Sequence, residues 1–245
     1  MGDKPDLIPG IYNYCDRWCE RCAYTSCCLQ FQIESEEIQS SDALRDFDAL
    51  NARFWQDMGE ALVQAMRLLR EMAVQQGIDP EDLHKETVLY SETLDTLQRT
   101  AREHPCATAA LVYSGMVNEW FAAVDELSEA EVSLLTDHPF FLDEHLQVIR
   151  HYQYFIYPKI VRAIEGRMSD PVAEQPELQS DAYGTAKITL IALDRSLAAW
   201  SVLYPEYPAY EDKTLSILLH LDRLRRSLEV VFPAARAFVR PGFDA

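Results

Sequence analysis

The strongest constraint on what this chain can fold into is a run of apolar residues recurring at spacings of three, four and seven. Phe47, Phe54, Met58, Ala61, Ala65, Leu69 and Met72 follow the 3.6-residue period of a helix with one buried face. Gly77 ends that helix, and Asp79-Pro80-Glu81-Asp82 starts the next with an N-cap, a proline at the first helical position and first-turn acids. Leu83, Thr87, Tyr90, Leu94, Leu97 and Ala101 then continue the stripe. Pro105 opens a third helix, nearly apolar all round from Cys106 to Val124, which belongs in the middle of a bundle. Further helices are expected from Phe140 to about Arg167 with a kink at Pro158, from Ala182 to Leu203, and from Glu211 to about Phe238 with a bend at Pro233. A capping box, Ser128 with Glu131, predicts a short helical turn before Asp137-His138-Pro139. Met168 to Asp181, with two prolines and four acids, reads as a loop.

Few segments alternate with period two. Glycine, at 8 of 245 residues, is about half the usual ~7%, which argues against hairpins and glycine-rich phosphate loops. The expectation is therefore an all-α bundle of about six helices with an N-terminal cysteine-rich metal-binding loop: residues 1–33 as the cysteine segment, 40–240 as one helical domain. With 22 Lys and Arg against 40 Asp and Glu the net charge is −18, so nucleic acid and anionic membranes are not expected partners. The first ten residues lack the apolar core of a secretory signal, and Asp6 stands where a myristoylation signal needs Ser or Thr, so a cytoplasmic protein is expected. Cys106 to Val124 is barely long enough to span a bilayer and contains Asn118 and Glu119; it reads as a buried helix of a water-soluble bundle.

Five of the six cysteines fall within fourteen residues: Cys15, Cys19, Cys22, Cys27 and Cys28. In a reducing compartment such a cluster reads as a metal site rather than a disulfide framework. Four thiolates suit tetrahedral Zn2+ or a 4Fe-4S cluster, and both remain open; Arg17 and Arg21 would offset part of the negative charge. The expected ligands are Cys15, Cys19, Cys22 and Cys28, with Cys27 as the alternative to Cys28, because adjacent residues rarely both face one centre. Such a site would be structural or redox-active, and the bundle is expected to bind a protein partner.

Cys15-x3-Cys19-x2-Cys22 resembles the cluster-binding triad of radical S-adenosylmethionine enzymes, whose barrel this chain lacks the strands and glycines to build. The box also resembles Cys-x3-Cys-x2-Cys-Cys metal-chelating proteins but carries Ala23 in place of their fourth cysteine. The wider string from Ile8 to Cys22, with its Tyr-Cys-Asp-Arg-Trp-Cys-Glu-Arg-Cys core, resembles uncharacterised bacterial helical proteins. That likeness extends to Ala186-Lys187-Ile188 and Leu193-Asp194-Arg195-Ser196. It implies that the box is a unit and implies no activity.

An enzyme with a carboxylate and histidine pocket inside the bundle is the competing reading. Its candidate residues are Glu119, set among apolar neighbours with Lys187 as a possible partner, and Glu144 with His151, seven residues apart on one helix. Glu81 to His84 is the chain's Glu-x-x-His match to a di-iron bundle, and it sits in a helix's first turn, where Glu usually compensates the dipole. Leu190 to Arg195 is echoed by Leu218 to Arg223, so Asp194 could meet Arg223, and Arg195 could meet Asp222, across a helix pair; alternatively each helix carries a solvated Asp-Arg pair. A stripe of small residues, Thr185, Thr189, Ala192, Ser196 and Ala199, is expected to face Leu221, Leu224, Leu228 and Val231.

Overall fold

The structure, a computed structural model, describes residues 6–41, 47–77, 80–125, 139–169 and 180–244. Among these, seven α-helices occur and no strand: α1 (Leu29–Ser41), α2 (Phe47–Gln75), α3 (Pro80–Glu103), α4 (Pro105–Asp125), α5 (Pro139–Ser169), α6 (Asp181–Glu206) and α7 (Glu211–Val231). The all-helical expectation holds. The Ser128–Glu131 capping box, Asp79, most of the Met168 to Asp181 loop and the side chains of Glu81 and His84 lie outside the described residues. No described helix is long and apolar enough to cross a membrane.

Starts set by proline were legible, and several ends were not. Proline at the first position of α3, α4 and α5 costs no helical hydrogen bond, so each starts there. Gly77 takes the left-handed conformation just past α2, with φ 74°. Pro158 lies within α5, and α6 runs through Pro205 to Glu206 rather than stopping at Leu203. The last helix ends at Val231, two residues before Pro233, where a bent helix to Phe238 was expected; a short 3-10 turn, Ala235–Ala237, follows instead. α1 was not anticipated, because its sequence carries almost no apolar stripe.

The chain divides into two compact units, residues 1–28 with 97–245 and residues 29–96. In the second unit α2 forms as predicted, but the stripe residues whose side chains are described are not buried. Met58, Ala61, Ala65, Leu69 and Met72 are exposed, as is Trp55 at 63%, while Ala73 is buried.

The first unit is an antiparallel four-helix bundle in which α4 packs on α5 and α7, and α6 packs on the same two helices. Paired contacts give the directions. Ser114 Oγ donates to the Gln153 carbonyl at 2.8 Å, and Gln153 Nε2 returns a bond to the Ser114 carbonyl at 3.0 Å, tying α4 to α5. Trp120 Nε1 donates to Thr214 Oγ1 at 3.0 Å and His220 Nε2 to the Ala109 carbonyl at 2.7 Å, so α7 runs against α4. Trp120 meets Trp200 edge to face at 5.0 Å, and Trp200 Nε1 donates to Tyr113 Oη at 3.3 Å, giving the core rings a fixed arrangement with satisfied polar tips.

α4 is not the most buried helix, contrary to expectation. Leu111 and Val112 are each 49% exposed, and Asn118 and Glu119 share that outer side. Half of the 26 residues of α6 are buried instead. Its small residues let neighbours approach closely, and both terminal segments cover it. The expected pairing of α6 with α7 is found, with Asp194 reaching Arg225 at 3.6 Å. The small-residue stripe, however, centres about half a turn of helix from Asp194, the flank turned away from that contact.

Candidate functional site

The cysteine segment is not a free arm; it lies on α5 and α6. It is built of three short 3-10 turns, Ile11–Asn13, Cys19–Arg21 and Thr25–Cys27, which leave Cys19, Cys22, Cys27 and Cys28 at or next to turn ends. Between the first two turns Arg17 adopts φ 59°, a left-handed conformation uncommon for a side-chain-bearing residue and a mark of a segment held by its surroundings. It separates the two residues that anchor the segment.

Those residues are Asp16 and Trp18. Asp16 Oδ2 accepts from Tyr152 Oη at 2.8 Å and from Arg195 Nη1 at 2.5 Å, while Oδ1 accepts the Trp18 backbone N–H at 3.2 Å. Arg195 Nη1 also donates to Tyr152 Oη at 2.5 Å, closing a triangle between the segment, α5 and α6. Burial pushes the Asp16 carboxyl up, but the bonds from Tyr152, Trp18 and Arg195 outweigh it and hold the group below its ordinary range. Burial pushes the Tyr152 phenol up as well, and there it prevails, leaving the group well above its usual value, so it stays a donor. His151 Nε2 donates to the Asp16 carbonyl at 2.9 Å, which fixes the proton on that nitrogen because a carbonyl only accepts. The His151 ring stacks on Trp18 at 4.2 Å, and the Arg21 guanidinium covers Trp18 at 4.1 Å.

The C-terminal tail completes the enclosure. Tyr14 meets Phe238 at 4.7 Å and Tyr24 meets Phe243 at 5.0 Å. Gly184 of α6 lies directly beneath, where a Cβ would stand 2.6 Å from Phe238 and closer still to Tyr14, so no larger residue fits. Lys187 holds the tail by donating to the Phe238 carbonyl at 2.5 Å and pairing with Asp244 at 2.7 Å.

None of the six cysteines is in a disulfide, and the five of the box are half-buried. The Cys15 thiol donates to the Tyr12 carbonyl at 3.5 Å, and burial raises its pKa. Cys22 Sγ instead accepts the Tyr24 backbone N–H at 3.4 Å. Among the described residues no three Cys, His, Asp or Glu side chains form a group able to hold a metal ion. The expected convergence of Cys15, Cys19, Cys22 and Cys28, or of Cys27 in place of Cys28, is thus not present in this arrangement. The donor types suit a soft metal; their spacing would have to tighten around it.

The other candidate residues separate. Glu119 is exposed on the outer strip of α4, and Lys187 serves the tail rather than Glu119. Glu144 bridges Arg21 at 3.4 Å while His151 binds the Asp16 backbone, so both hold the segment and no acid-base pair forms between them. The echoed Asp-Arg pairs do not cross between the two helices. Arg195 meets Asp16, Asp194 meets Arg225 and Arg236, and Asp222 meets Arg225 and Arg226.

Asp16 and Tyr152 were missed as site residues, because residues 136 apart carry no local sign of contact. A cleft of about 550 Å³ opens beside this node, lined by Asp16, Trp18, Arg21, Cys22, Tyr152 and Arg195 among others. Compared with family models, with curated proteins and with solved structures, the chain matches none.

Proposed function

We propose that this is a metal-binding helical protein whose cysteine box takes up Zn2+ or a 4Fe-4S cluster, in a structural or redox role. The observation that carries the reading is the set of five half-buried thiols, none in a disulfide, in one short segment that Asp16 and Trp18 pin to the bundle. Anchoring matters because a site held by a supporting shell loses less entropy when its ligands close on an ion. A protein partner remains part of the proposal, and the exposed apolar side of α2 is the surface it would cover.

Metal analysis of protein purified anaerobically under reducing conditions tests the reading. Near-stoichiometric zinc in a colourless sample, or iron and sulfide in a brown one, is the expected result. Cys19→Ser should then lose most of the metal, and Cys106→Ser, in the bundle core, should keep it. A metal-free preparation, or retention unchanged in Cys19→Ser, overturns it.

A further inference from the structure

We propose that the cleft between the cysteine segment and helices α5 and α6 binds a flat aromatic carboxylate, with Arg21 stacking on the ring and Arg195 holding the carboxylate. Its volume, about 550 Å³, falls within the roughly 300–1,000 Å³ typical of small-molecule sites. Trp18, Tyr24, Tyr152 and Phe243 contribute rings to its lining.

Charge selects the ligand's sign. The chain carries −18 overall, yet the arginines and carboxylates lining this cleft are Arg21, Arg195 and Asp16. Asp16 is already engaged through both oxygens, by Trp18 on one and by Tyr152 and Arg195 on the other, so it adds little further pull on a cation. Arg195 makes its bonds to Asp16 and Tyr152 from Nη1 alone, and its side chain is 53% exposed. Its remaining N–H donors match a carboxylate, which a guanidinium grips with two parallel bonds.

Stacking selects the ligand's shape. The Trp18 ring stacks on His151 at 4.2 Å and carries the Arg21 guanidinium at 4.1 Å, and of these three Trp18 and Arg21 line the cleft. Arg21 is held by Gln147 Oε1, 2.8 Å from Nη2, and by Glu144 Oε1, 3.4 Å from Nη1. A conjugated ring can pack flat on a guanidinium and against these aromatic side chains, and a flexible aliphatic acid would not. This site needs no metal, so it stands or falls separately from the thiol reading.

The test is calorimetric titration of the full reduced chain, chelator-treated so that no metal is present, with naphthoate as the probe. Naphthalenemethanol serves as its neutral analogue and hexanoate as its aliphatic one. One saturable site is expected for naphthoate, with both analogues about tenfold weaker or worse, the size of a lost charge-assisted bond or ring stack. Ala198→Trp, which fills the cleft from an exposed position on α6, should remove binding without moving the thermal midpoint. Arg21→Gln, on the segment rather than the bundle, should weaken it severalfold and keeps the test valid if the Trp variant does not fold. Absence of saturable binding, equal affinity for the neutral analogue, or binding untouched by both variants overturns the proposal.

Discussion

The two units spend the same kind of sequence differently. In the bundle, Trp120 is fully buried, its ring packed on Trp200 and its indole N–H bonded to Thr214. In α2 a tryptophan beside the apolar stripe, Trp55, is 63% exposed. α4 is nearly apolar all round and α2 is apolar along one face, and both patterns read as helices with something to bury. Amphipathic spacing therefore specifies that a helix has an apolar face, and the neighbouring elements decide whether that face is core or surface.

Truncating the two tryptophans should separate the buried from the exposed position most clearly. Trp120→Ala should cost about 3–5 kcal/mol, against less than about 0.5 kcal/mol for Trp55→Ala, both read from urea melts. Equal costs would mean that α2 is buried in solution. Next in size, Gly184→Leu should cost roughly 1–3 kcal/mol or more by wedging Tyr14 and Phe238 off α6, and faster alkylation of the box thiols would report the release. Tyr152→Phe removes one donor to Asp16 and should cost about 1–2 kcal/mol, again with faster thiol alkylation and an unchanged helical circular-dichroism spectrum.

Acid gives a smaller, graded effect at the tail. Bonds from Arg240, and then from Lys187, hold the Asp244 carboxyl below its ordinary 3.8. A depressed folded-state value contributes stability above the unfolded pKa that is lost as pH falls through the folded one. Proteolysis between Arg236 and Asp244 should therefore be slow at neutral pH and accelerate only below about pH 4. Asp244→Asn should abolish that acid dependence. Least of all, Glu119→Gln on the exposed strip of α4 should shift stability by under about 0.5 kcal/mol, and a larger loss would restore Glu119 as a partnered group.

What could be read in advance was local. Helix starts at Pro80, Pro105 and Pro139 depend on one residue's missing N–H, and the stop after Val231 fits Pro233 better than a bend would. α1 carried too weak a stripe to be recognised, and the left-handed Arg17 has no sequence signature at all. The density of the cysteine box was plain, but its seat was not, since Asp16 finds Tyr152 and Arg195 only through the tertiary fold.

The seat of the box on residues made much later sets a schedule for the thiols. Asp16 closes on Arg195, 179 residues onward, and Tyr24 on Phe243. At ordinary rates of synthesis that separation corresponds to roughly ten to forty seconds during which the segment has left the ribosome and its partners do not yet exist. The nascent thiols meet the surrounding metal and redox pool first, and the bundle then closes over whatever state they have reached.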